Sequence, residues 1–159
     1  MDDRLINSSF PVVELEITEV RLARDWSYPG RCLVICNEEY RDIQGLGGED
    51  YLRMMMEVRG VTQVLRELYK ADKMNVASFG NIVAWLHWHV IPRHEGDAGW
   101  PATPWENPNP AVKADEATLA EHAERIEWAL LDADFSDDDD LSDDAELSDD
   151  AKLSDQDLV

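Results

Sequence analysis

Trp85-Leu86-His87-Trp88-His89-Val90-Ile91-Pro92-Arg93 is the stretch whose reading decides the rest of the chain. Aromatic and β-branched residues run up to a proline, the composition of a β-strand whose pairing ends there. Side chains alternate faces on a strand, so Trp85, His87 and His89 share one side, while Leu86, Trp88 and Val90 anchor the other. Two imidazoles then stand about 7 Å apart along one face. Such a pair suits a nucleophile with a helper, two metal ligands, or two structural histidines, and the strand alone leaves all three open.

Upstream of this strand, residues 10–17 alternate imperfectly and predict a first strand, and Val20 to Trp26 a second. Ser27-Tyr28-Pro29-Gly30 is a turn: proline presets φ and glycine supplies a positive one. Arg31-Cys32-Leu33-Val34-Ile35-Cys36 follows as an apolar run, so the two strands around the turn read as an antiparallel hairpin. Glu49 to Ala71 predicts one long helix, with Tyr51, Met55, Val58, Val61, Leu65 and Leu68 on one face at three-to-four spacing. Lys73 to Phe79 is a further strand, and Gly80-Asn81 a turn into the histidine strand. From His94 to Pro110, glycine, proline, tryptophan and asparagine mark a loop, in which Trp100 and Trp105 are expected to pack down. Asp115 caps a second helix, Glu116 to Leu131, striped by Leu119, Ala123, Ile126 and Leu130. His122 beside that stripe reads as a boundary residue.

The chain has 159 residues and 44% hydrophobic content, enough for one domain with a core. Its formal charge of −21 is unevenly spread. Thirteen acidic residues and one lysine fall in 132–159, leaving −9 for the remainder. That tail contains three approximate six-residue copies beginning at Leu141, Leu147 and Leu153. One leucine in six cannot build a core, and like charges repel, so the expected organisation is a domain at 1–131 followed by a disordered acidic tail at 132–159. The tail is a candidate surface for a basic partner. Duplex nucleic acid is not an expected ligand, since it requires a basic face. With two cysteines, no signal-like apolar segment and no long apolar run, the expectation is a cytoplasmic protein without membrane attachment.

With its flanks, the stretch Gly80-Asn81-Ile82-Val83-Ala84-Trp85-Leu86-His87-Trp88-His89-Val90-Ile91-Pro92-Arg93 resembles the signature strand of the histidine-triad (HIT) superfamily, in which three histidines alternate with hydrophobic residues. Tyr28-Pro29-Gly30-Arg31-Cys32-Leu33-Val34-Ile35 and Lys73-Met74-Asn75-Val76-Ala77 are similar to the family's other strands. Asp97-Ala98-Gly99-Trp100-Pro101 with Trp105 looks like a bacterial branch of small HIT hydrolases, of the diadenosine polyphosphate hydrolase kind. The resemblance implies an α+β fold, an antiparallel sheet packed against one long helix, here with a C-terminal helix, and a homodimer. It implies attack on the α-phosphorus of a small-molecule nucleotide substrate (phosphoramidate, adenylate or dinucleoside polyphosphate) through a nucleotidyl-histidine, with no cofactor and no metal. His87 matches the nucleophile and His89 the last triad histidine. Asp25, Asn75 and Asn81 match nucleotide-binding positions. Trp85 stands where the first triad histidine belongs, a position that supports the nucleophile. The alternative reading is therefore a HIT-like nucleotide-binding protein with weak or no catalysis.

Overall fold

A computed structural model describes residues 1–133, so the acidic tail from 134 onward and the expectations placed on it lie outside the described residues. The architecture is α+β. The strands are β1 (Ser9–Glu14), β2 (Thr18–Ala23), β3 (Cys32–Cys36), β4 (Lys73–Ala77) and β5 (His87–Arg93). They form one antiparallel sheet in the order β1-β2-β3-β5-β4. Helices α1 (Asp3–Asn7), α2 (Gly48–Tyr69) and α3 (Glu116–Asp132) complete it. Sheet, long helix and C-terminal helix are as the sequence led us to expect. The short helix α1, capped by Asp2, is an addition: five residues are too few to show a hydrophobic period.

The apolar stripe of α2 meets one face of the sheet. Met54, Val58, Val61 and Leu65 pack with Val20, Leu22, Cys32, Val34 and Val90, and α3 closes the layer with Leu119, Ile126 and Leu130. Met54 is fully buried, in keeping with a gap-filling role for the first residue of the methionine run. Every residue of β3 is buried, because it is covered on both faces. Cys32, Val34 and Cys36 face α2, while Leu33 and Ile35 turn to the opposite side and meet Leu5 of α1, with Val83 and Trp85 packed around them. In the β3–β5 register, Leu33 lies across from His89 and Ile35 across from His87, which places both imidazoles on the face away from α2 and α3.

The boundaries around the histidine strand differ from the sequence expectation. The fourth strand ends at Ala77 rather than Phe79, and 80–86 is a loop, so Trp85 precedes β5 instead of sharing it. That loop is held by main-chain bonds from the Leu86 amide to the Tyr40 carbonyl and from the Cys36 amide to the Leu86 carbonyl. At the other end β5 runs through Pro92 to Arg93. Proline is tolerated because β3 stops pairing at Val90, so on that side no ladder donor is required of it.

Gly30 shows how closely the turn before β3 is packed. Its φ is +83°, and a Cβ there would sit 2.3 Å from Cε2 of Tyr69. Gly30→Ala is expected to lower stability by about 2 kcal/mol or more, combining left-handed strain with overpacking, read as a lower denaturation midpoint at unchanged slope.

Candidate active site

A cavity of about 690 Å³ opens on the face of the sheet away from α2. Its wall includes His87 and His89 from β5, Leu33 and Arg31 from the start of β3, Asp25 after β2, and Phe79, Asn81 and Trp105 from the two flanking loops. Arg4, Leu5 and Ser8, from α1 and its C-terminal end, close one side.

The two imidazoles are 5.0 Å apart between ring centroids and nearly perpendicular, at 83°. Their hydrogen bonds make them chemically different. Nδ1 of His87 lies 2.5 Å from the carbonyl oxygen of Trp85. A carbonyl only accepts, so the proton resides on Nδ1, and the neutral ring carries its lone pair on Nε2. The main chain of His87 is held in turn, its carbonyl accepting from Ser78 Oγ at 2.8 Å. Nδ1 of His89 lies 3.1 Å from Nη2 of Arg31. A guanidinium only donates, so this Nδ1 accepts and the proton of neutral His89 sits on Nε2. One ring thus presents a lone pair and the other an N–H.

Burial pushes His89 down to about 3, and the neighbouring Arg31 charge and His87 add to the shift. Phe79 and Trp105 supply much of that apolar cover, with Trp105 5.8 Å and Phe79 6.4 Å from the His89 ring and 4.7 Å from each other, between centroids. The unfolded chain binds a proton at His89 near the ordinary imidazole value of 6.5 and the folded chain does not, so stability present above pH 6.5 is lost as pH falls toward about 3. One such group steepens the loss by at most about 1.4 kcal/mol per pH unit. His89→Gln is expected to flatten the acid limb of a stability–pH curve measured by chemical denaturation; an unchanged limb would remove His89 as its source. His122, also lowered by burial, contributes in the same direction and survives in that variant.

Each residue singled out from the sequence has a definite place. His87, His89, Asp25 and Asn81 are brought together around the cavity. Asp25 lies two residues past β2, not on it, and its main chain forms an isolated bridge with Lys113. Its Oδ1 accepts from the Ser27 amide at 3.1 Å and from the Ser27 hydroxyl. Asn75 shares the sheet face of the histidines by register but is not part of the cavity wall. Its Oδ1 accepts instead from Nη1 of the buried Arg93, 2.9 Å away. His122, the boundary histidine, sits half-buried between Trp26 and Tyr69, its Nδ1 2.8 Å from the Tyr69 hydroxyl.

Trp85 takes a part that alternation does not suggest. Its indole N–H donates to the Cys36 carbonyl at 2.8 Å, and its ring packs beside Leu5, Leu33 and Ile35. What it offers His87 is the main-chain carbonyl, which any residue at 85 could supply. Arg31 is the residue that sequence reasoning passed over. It entered only as the first residue of an apolar run, yet it is largely buried against the site. Burial lowers its guanidinium from the ordinary value, with Asp25, 3.8 Å from Nη1, opposing that shift. Its Nε has no hydrogen-bond partner.

Among the described residues, no group of three or more His, Cys, Asp or Glu side chains is arranged to hold a metal ion, and no helix is long and apolar enough to cross a membrane.

A family model described as the HIT domain matches residues 6–96. Among solved structures, a histidine triad protein from Marinobacter aquaeolei VT8 is 30% identical, with a TM-score of 0.76 over 82% of this chain and 95% of that one. A histidine triad (HIT) protein from Sinorhizobium meliloti 1021 is 30% identical, with a TM-score of 0.74 over 79% of this chain and 93% of that one. A histidine triad protein from Bradyrhizobium japonicum is 27% identical, with a TM-score of 0.76 over 82% and 96%. No curated protein is matched by the chain.

Proposed function

The chain belongs to the HIT domain family, and within it we propose a nucleotide hydrolase or transferase that works through a covalent nucleotidyl-His87. The observation that carries this reading is the bond between Nδ1 of His87 and the Trp85 carbonyl. It holds the ring in the tautomer whose Nε2 lone pair is available, in a residue that lines the cavity. Nε2 attacks the α-phosphorus of a nucleotide, an N–P bond forms, and the leaving group departs with the electron pair of its bond to phosphorus. Water then attacks the same phosphorus, the N–P bond breaks, its pair returns to Nε2, and a proton passes to solvent. The Nε2–H of His89 and the guanidinium of Arg31 stand beside the nucleophile, where they can hold the phosphoryl oxygens as charge gathers on them. Asp25 and Asn81 line the same cavity and are assigned to the nucleoside. Asn75, bound to Arg93, is assigned an indirect part in the same site, through the strand end it holds.

The alternative, a binding protein disabled at position 85, loses ground on the same geometry. The nucleophile is oriented by the main chain of residue 85, which a tryptophan supplies as well as a histidine does. The two readings separate in one experiment: wild-type protein is mixed with an α-phosphorus-labelled nucleotide substrate, quenched in base, and examined for an acid-labile adduct. Label on the protein together with turnover supports the hydrolase. Protection by nucleoside monophosphate in thermal unfolding, without adduct or turnover, would leave the binding protein standing.

A further inference from the structure

Resting on the nucleotidyl-transfer reading, we infer that Arg31 makes this a site for phosphoric anhydrides rather than phosphorus–nitrogen substrates, by locking His89 as a neutral hydrogen-bond donor that cannot protonate a leaving group. An imidazole acts as a general acid only when both nitrogens carry protons. With the Arg31 guanidinium 3.1 Å from Nδ1 of His89, a proton on that nitrogen would point at a fixed positive charge. His89 therefore keeps a single proton, on Nε2, and giving that one up would leave an imidazolate.

No other wall residue takes over the role. The titratable and charged groups of the cavity are Arg4, Asp25, Arg31 and the two imidazoles. The proton on His87 is directed at the Trp85 carbonyl, and its other nitrogen is the one that bonds to phosphorus. Asp25 accepts from Ser27 through Oδ1, and its Oδ2 lies 3.8 Å from Nη1 of Arg31. Arg4 donates to the Ile82 carbonyl and to Asp2. The Ser8 hydroxyl donates to the Leu5 carbonyl. The ring contacts that His89 makes with the loops, among the described residues, are with the uncharged Phe79 and Trp105.

The consequence is a division by leaving group. When His87 Nε2 displaces a phosphate or a carboxylate, the P–O bond breaks, the electron pair stays on an oxygen that is stable as an anion, and no proton is required. Arg31, its Nε unpartnered and its charge permanent, is suited to that oxyanion. When the leaving group is an amine, the P–N pair must be met by a proton, and the site holds no group to supply it. Dinucleoside polyphosphates and acyl adenylates are thus the fitting substrates, and nucleoside phosphoramidates the poor ones.

The test uses the full chain with three probes: diadenosine triphosphate, an aminoacyl adenylate and adenosine 5′-phosphoramidate. Wild type is expected to favour both anhydrides in kcat/KM by on the order of 100-fold or more, the effect of withholding one general acid. In ¹⁵N NMR, His89 should stay in the Nε2–H tautomer from pH 8 to pH 5. Arg31→Lys, which retains a donor, should behave alike. Arg31→Met removes the charge but not the burial, so it should move the His89 titration upward and narrow the preference by about tenfold or more as pH falls. Turnover of the phosphoramidate within about tenfold of the anhydrides, or titration of His89 in the wild type between pH 5 and 8, would overturn the inference and leave nucleotidyl transfer intact. Absence of both adduct and turnover with all three probes would remove the transfer reading, and this inference with it.

Discussion

His87→Ala is expected to abolish nucleotidyl adduct and turnover together, with kcat falling by on the order of 10⁴ or more, since the other imidazole of the cavity wall, His89, holds its lone pair against Arg31. His87 is 6% exposed, so the truncation leaves a small hole, and the variant's denaturation midpoint should be recorded beside its activity. The discriminating observation is a single-turnover quench with α-labelled substrate. Product without protein-bound label in the wild type would mean direct attack by water. Label retained in His87→Ala would place the nucleophile elsewhere. Added imidazole entering the vacated space should restore part of the turnover without restoring the protein-bound label, because the nucleophile is then free to diffuse away.

The largest stability effect is expected at Asp97. Arg93 is 1% exposed and completes the end of β5. Its Nε donates to Asp97 Oδ2 at 2.6 Å, and its Nη1 to Asn75 Oδ1 and, at 3.2 Å, to the Ala102 carbonyl. The rings of Tyr28 and Trp100 lie 5.2 and 5.9 Å from its Cζ. Asp97 also accepts from the His94 amide and from Asn109, whose side chain reaches back to the Ser27 carbonyl. Asp97→Ala strips the counter-charge from a guanidinium that stays buried, and should cost about 3–5 kcal/mol in equilibrium denaturation. Replacing Arg93 by methionine in the same variant should recover part of that loss, because no unpaired charge then remains inside. A cost below about 1 kcal/mol for Asp97→Ala would show the pair to be solvated instead. Burial alone would raise the Asp97 carboxyl, but the hydrogen bonds from Arg93, Asn109 and the His94 amide outweigh it and hold the group below its usual range. This contribution is therefore intact above pH 3.8 and is lost as pH falls below that value.

Trp105 shows how the two predictions connect. The loop carrying it is tied down at Asp97 and Asn109, and its indole covers His89. Loosening the loop should admit water to the imidazole, so Asp97→Ala is expected to weaken catalysis as well as stability.

The elements were largely legible before any coordinates. Alternation marked the histidine strand, three-to-four spacing marked α2 and α3, and Pro29-Gly30 marked the hairpin turn, because each is a local consequence of backbone geometry. His87, His89, Asp25 and Asn81 were singled out through family resemblance, and the fold brings them to one cavity wall. Asn75 was singled out as a nucleotide-binding position, but its engagement by Arg93 was not visible, since that depends on the pairing of β4 with β5. Trp85 was read through its side chain, while its carbonyl is what meets His87; a sequence names side chains and says little about which main-chain group they leave exposed.

By itself, then, the sequence determined that two imidazoles lie on one face of a strand backed by an apolar layer, since alternation follows from the two-residue repeat of the backbone. Only the tertiary structure decided what those imidazoles are. Arg31 and His89 are 58 residues apart in the chain and meet because β3 pairs with β5 in one register, Leu33 opposite His89. A shift of one residue would carry Arg31 to another neighbour and take its donor away from Nδ1 of His89. The tautomer of His89 is therefore a property of strand pairing, whereas that of His87 is set locally, by the carbonyl two residues before it.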